Sequence, residues 1–216
     1  MREAFKHDFP IQNDDWMVIV DDTFEQIGAM LHPGKTVRKR TVAGTLKYYY
    51  GVMALPLVIS LALVFTLGKG SLPGMFNTSL DIVAVGVALF YLVVIPLWTL
   101  LGALVAHVIG ANFLQAFKGR YSDTLSGVTY GQLAFAPLIW LVALSMRIPL
   151  LGMLLIMVLG GWAFVVEVIG VAKLNKASRA SAFAVAISSG ALVWIAVYVV
   201  MMIVLSSGFY NPYYFG

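Results

Sequence analysis

Five apolar runs, at residues 48–68, 82–111, 130–146, 148–172 and 182–206, decide what this chain can become. A helix needs about 20 apolar residues to cross a hydrocarbon core about 30 Å thick. Lipid offers no partner to backbone polar groups, so a spanning segment must satisfy them internally. Only 11% of the 216 residues are charged, against roughly a quarter in soluble domains. The expected fold is therefore an all-α integral membrane protein with five transmembrane helices, and a soluble enzyme, a disordered chain and a collagen-like repeat are excluded. The chain contains no cysteine, which removes disulfides, thiolate metal sites and palmitoyl anchors. The first 44 residues lack the pattern of a cleavable signal peptide, so a mature, polar N-terminus is expected.

The second run would measure about 45 Å as a straight helix, and Pro96 predicts a kink within it. The third run is barely long enough to cross, and charge decides in its favour. With five spans and the N-terminus inside, the inner side collects every lysine and arginine except Lys69 and Arg147. Leaving the third run uncrossed would move Lys173, Lys176 and Arg179 outside. The positive-inside rule thus favours five spans, N-in and C-out. A prokaryotic cytoplasmic membrane, or an endomembrane in a eukaryote, is the expected location. The tail Phe209-Tyr210-Asn211-Pro212-Tyr213-Tyr214-Phe215 then reads as an outer aromatic anchor.

Ahead of this five-helix domain, 48–216, lies a cytoplasmic segment, 1–47. Trp16, Val20, Phe24, Ile27 and Leu31 recur at helical spacing, predicting an amphipathic helix over 14–31 closed by His32-Pro33-Gly34. Charge is polarised along the segment. Residues 1–25 hold seven acidic and two basic groups, whereas residues 26–47 hold five basic and none acidic. Each basic residue near an anionic bilayer contributes roughly 1 kcal/mol. Lys35, Arg38, Lys39 and Arg40 are therefore candidate headgroup contacts, with the lipid bilayer and its anionic headgroups as the first partner. The acidic helix is repelled by the same lipids, so it packs back on the basic block or faces a basic partner. A basic excess in such a chain reports topology rather than nucleic acid.

Few motifs suggest chemistry. Gly68-Lys69-Gly70-Ser71 lacks the earlier glycine and the strand-to-helix context of a phosphate loop. His7, His32 and His107 show no helical pairing, so no metal site is expected. Ser188-Ser189-Gly190 with His107 lacks an oxyanion-hole signature for an intramembrane protease, and serine and glycine here read as packing residues. No catalytic residue and no cofactor is expected, and the chain reads as a non-enzyme. Pro56, Pro96, Pro137 and Gly160-Gly161 could mark the broken helices of a small-solute or ion transporter, which is the alternative function.

Small residues recur every fourth position in two rows, Gly102-Ala106-Gly110 and Ser178-Ala182-Ala186-Gly190. Such rows let helix backbones approach, within the bundle or in a homo-oligomer. His107 and Glu167 are the ionisable groups well inside spans, at similar expected depth. Intramembrane ionisable groups face the bundle interior and pair. At that depth the glutamate can snorkel to water or reach Lys173 on its own helix, and the sharper expectation is a direct His107–Glu167 hydrogen bond.

One ordered pattern runs from His107 to Gly190. Val108-Ile109-Gly110 closes the long span, followed by Phe117-Lys118-Gly119 and a polar loop ending in Ala136-Pro137. Then come Ile148-Pro149-Leu150-Leu151-Gly152, Trp162, Gly170, Ser178 and Ala182. This order and spacing resembles the Yip family of Rab-GTPase-interacting integral membrane proteins. The resemblance implies a five-helix, N-in membrane protein without catalysis, acting as a scaffold or adaptor in trafficking or membrane organisation, with a membrane-protein partner or a second copy. The Asp-Leu-Tyr-Gly-Pro signature of eukaryotic members is absent, and Leu133 stands where an aromatic is common. The resemblance is thus to the prokaryotic type, and it does not carry small-GTPase binding across.

Overall fold

The computed structural model describes residues 13–71, 80–134 and 149–206. Among these every regular element is helical. Helix α1 spans Asn13–Leu31 and is followed by a single turn, α2, Pro33–Thr36. Helix α3 runs from Val42 to Ser71 with Pro56 inside it. The second long segment is α4 (Leu80–Leu89), a π-helical stretch (Phe90–Val94), α5 (Ile95–Val108) and a second π stretch (Ile109–Phe113). Then come α6 (Tyr121–Gln132), α7 (Pro149–Leu174) and α8 (Arg179–Ser206).

Four helices are long and apolar enough to cross a membrane: Val42–Thr66, Ile82–Phe113, Leu150–Leu174 and Arg179–Ile203. They match the expected first, second, fourth and fifth runs to within six residues at either end. The expected third run falls mainly on residues 135–148, outside the described residues. The C-terminal aromatic tail and Pro137 also lie outside them. The structure thus supports an all-helical, multi-spanning membrane protein.

Pro96 shows how the long second segment meets its proline. Proline has no N–H to donate and its ring crowds the carbonyl four residues back. The π stretch Phe90–Val94 ends just before it and absorbs the mismatch, so the segment continues. The second π stretch ends the segment at Phe113, and the chain then doubles back onto Gly110. The Ala116 and Phe117 N–H groups both donate to the Gly110 carbonyl, at 2.8 and 3.1 Å. A Cβ on Gly110 would lie 2.4 Å from the Phe117 ring, so only glycine fits beneath it.

The centre of the molecule is not apolar by sequence. Helix α6 is buried from Asp123 through Gly131 and lies flat against α7. A Cβ on Gly127 would sit 2.7 Å from the Val171 nitrogen, and one on Gly131 2.8 Å from the Glu167 Cα. These glycines let two helix backbones touch. One cluster of buried side chains joins Ala29, Tyr48, Tyr130 and Val166, and a second joins Ala103, Ala106, Val171 and Ala182.

Candidate functional site

Polar residues concentrate where α1, the start of α3, α6 and the end of α7 meet. Arg40 is the hub. Its Nη2 donates to both Glu25 oxygens at 3.0 Å, lies 3.8 Å from Asp22 Oδ1, and its guanidinium stacks 4.2 Å from the Tyr48 ring centroid. Tyr130 also donates its hydroxyl to the Glu25 carboxylate. Gln26 is fully buried with a partner at each end of its amide: it accepts from the Tyr48 hydroxyl at 2.6 Å and donates to the Tyr130 carbonyl at 3.1 Å. Burying an amide without such partners would cost several times what each bond returns. Lys173 completes the interlock, donating to the carbonyls of Lys35 and Val37 at 3.1 and 2.9 Å. Trp162 donates to the Met30 carbonyl at 3.0 Å. The acidic helix therefore packs back on the basic block.

This arrangement fixes which face of α1 is outward. Its polar residues Asp22, Glu25 and Gln26 point to the bundle, while Phe24 and Leu31 are 68% and 67% exposed. Val20 and Ile27 are exposed beside them.

A second network lies one helix further on. Asp123 accepts from Lys39 Nζ at 2.8 Å and from the Arg120 N–H at 3.0 Å, which closes the start of α6. His107 Nδ1 lies 2.9 Å from the Thr124 hydroxyl, which donates to Asn175 Oδ1 at 3.0 Å; Asn175 Nδ2 in turn donates to the Val171 carbonyl. With the threonine proton committed to Asn175, His107 must donate from Nδ1. Beside this network an open cleft of about 530 Å³ is lined by Lys39, Arg40, Lys118, Arg120, Lys176 and the single carboxylate Asp123, among others.

The expected sites fare differently. Of the candidate headgroup contacts, Arg40 is consumed by Glu25 and Lys39 reaches Asp123, so the block does not act as four free cations. Lys35 and Arg38 remain exposed. The expected His107–Glu167 bond does not form among the described residues, and the reason is axial position. His107 is tied through Thr124 to Asn175, just past the end of α7, eight residues after Glu167 and about 12 Å further along the axis. Glu167 does not turn to Lys173 either, which is engaged with the Lys35 and Val37 carbonyls. It instead lines an open cavity of about 300 Å³ with Gln132, Ser189, Trp98 and Trp194. Gly102 and Gly190 border that cavity, with nothing within 4 Å of an added Cβ. Ala106, Ala182 and Ala186 share one packed cluster, Gly110 sits under Phe117, and Ser178 caps the start of α8 by accepting from the Ser181 N–H at 3.0 Å.

Sequence reasoning missed Gly127, Gly131, Asp123, Asn175 and Gln26. The Gly127–Gly131 spacing was a signal available in the sequence, but it straddles the boundary between a polar stretch and the expected third run. Among the described residues no cluster of three metal-ligating side chains occurs. The chain matches no family model, no curated protein and no solved structure.

Proposed function

We propose that this chain is a non-enzymatic, multi-spanning membrane scaffold or adaptor, of the kind the Yip resemblance implies. One observation carries the reading. Helix α1 is bolted to the bundle by its polar side, through Glu25, Gln26 and Arg40, and leaves Val20, Phe24, Ile27 and Leu31 outward. A helix held rigidly at the ends of the spans with an exposed apolar row suits the headgroup boundary or the apolar surface of another membrane protein. The one hydroxyl–imidazole pair described above, Thr124 and His107, has its threonine proton committed to Asn175, which supports a joining role over a nucleophilic one.

A second reading, a small-solute or ion transporter, is favoured by the cavity around Glu167, Gln132 and Ser189. Intramembrane ionisable groups commonly mark a pathway. The deciding experiment reconstitutes the full chain in liposomes and crosslinks it in native membranes. The scaffold reading expects crosslinks through Phe24 and Leu31 that disappear in a Phe24→Asp, Leu31→Asp variant, and no solute flux. Flux that depends on Glu167, with no specific crosslink, would reverse the order of the two readings.

A further inference from the structure

The cleft beside α6 gathers positive charge from three separate stretches of chain. Lys39 comes from the segment before α3, Lys118 and Arg120 from the loop after the second π stretch, and Lys176 from the turn between α7 and α8. Like charges converge only where a fold holds them or a counter-charge repays the repulsion. The internal counter-charge is already spent. Asp123 is the one carboxylate of the cleft, and it is taken by Lys39 and by the Arg120 backbone. Arg40 is turned to Glu25. Among the described residues, Lys118, Arg120 and Lys176 have no carboxylate partner.

The backbone holds these three in place. The Lys118 N–H donates to the Asn175 carbonyl at 3.0 Å, tying the loop to the α7–α8 turn. Gly119 fits between them because a Cβ there would lie 2.6 Å from Asn175 Oδ1 and 2.8 Å from Asp123 Oδ2. Lys176 has φ 53°, a left-handed conformation that a side-chain-bearing residue adopts at some cost. Strain of that kind persists where the surroundings over-determine it. The position of the cleft also matters. Thr41 and Leu174 line it, the first one residue before the span Val42–Thr66 and the second the last residue of Leu150–Leu174. It therefore opens at the ends of the spans, at the level where headgroups lie.

We propose that this cleft is a binding site for a phosphate-bearing group, held by Lys118, Arg120 and Lys176 with Lys39 beside them. A phosphate presents several acceptor oxygens to cations arriving from different directions. Arginine matches it with a planar fork and lysine as a mobile point charge. The cleft has room for a phosphate with its attached polar group. A lipid headgroup and a soluble phosphate share this chemistry, and the experiment separates them.

The full chain is purified in detergent, and phospholipid retention is read by native mass spectrometry after exchange with vesicles of phosphatidylglycerol or of phosphatidylcholine. Inorganic phosphate and glycerol phosphate serve as soluble probes. The cleft variant is Lys118→Gln, Arg120→Gln, Lys176→Gln. A control of equal charge change is Lys35→Gln, Arg38→Gln, Arg179→Gln, none of which lines the cleft. Because a phosphate held by several cations at once loses more than diffuse surface attraction does, the cleft variant should lose about tenfold to hundredfold in phosphatidylglycerol retention, and the control less than about threefold. Cleft-dependent retention assigns a lipid, whereas displacement of a soluble probe with no lipid retained assigns a free phosphate. Equal losses in both variants would reduce the cleft to diffuse surface charge and overturn the proposal, as would no loss in either. If the cleft variant fails to fold, amine labelling of Lys118 and Lys176 in the unaltered protein decides instead. Protection by phosphatidylglycerol or phosphate supports the site, and labelling indifferent to both removes it.

Discussion

Asp22 is a carboxylate placed where a carboxylate is expensive. It lies under α1 against α3, close enough that a Cβ on Gly51 would sit 2.5 Å from its Oδ2. Burial raises its pKa above the ordinary 3.8, and the nearby Arg40 lowers it by less. The folded chain therefore binds this proton more tightly than the unfolded chain. From 3.8 up to the raised value the native state holds more protons, so stability falls as pH rises through that window. In Asp22→Asn that slope should vanish, and the variant's melting temperature relative to the unaltered protein should climb with pH across the window. Thermal melts in detergent at a series of pH values measure the difference, and parallel curves would remove the claim. The basic block was legible in the sequence as a group of cations beside a span. That Lys39 would reach Asp123, 84 residues away, was not. Periodicity reports neighbours along one helix, and pairings of that range depend on how helices cross.

At the level of elements, long apolar helices were legible because the membrane sets their length. Helix α6 was not. Residues 121–129 carry serine, threonine, aspartate, tyrosine and glycine, which hydropathy reads as a polar loop, and residues 130–132 fall in the expected third run, yet Asp123 through Gly131 is one buried stretch of helix. Its polar groups are satisfied by partners on other elements: Thr124 by Asn175 and His107, Ser126 by Thr45 at 3.1 Å, and Gln132, which accepts from the Thr99 hydroxyl. The small-residue rows pack only in part, through Ala106, Ala182 and Ala186, and leave Gly102 and Gly190 uncovered. Four-residue spacing shows that a face is smooth, and says nothing of whether another helix covers it. The contrast is measurable. Gly131→Ala puts a methyl group into the Glu167 backbone, and overpacking of this kind costs typically 1–3 kcal/mol. Gly102→Ala meets nothing within 4 Å and should stay within about 0.5 kcal/mol of the parent. Unfolding of both variants in mixed micelles tests this. Equal stability would mean that α6 and α7 do not touch through Gly131.

For the whole molecule, the ends of the helices constrain how many times the chain crosses. The Lys118–Asn175 bond sets the loop before α6 at the C-terminal end of α7. Arg40 and Ser126, linked at 3.3 Å, bring the start of α3 to the same end, and α8 starts there at Arg179. Helix α7 has 26 residues and opens at Pro149 about 39 Å away. The chain leaves the shared end at Tyr121 and must be at the far end by Pro149. Because the chain has no cysteine, single thiols report the side directly. Ser178 lies three residues past Asn175, at the shared end, and Gly70 lies 28 residues along α3 from Val42, about 42 Å from it. In intact cells a thiol at Ser178 should resist an impermeant maleimide and one at Gly70 should react, with the pattern reversed in inverted vesicles. Reaction of both from one side would mean that α3 does not cross. The opposite assignment of the two would keep the architecture and turn the molecule over, placing the cleft and the exposed row of α1 on the outer face.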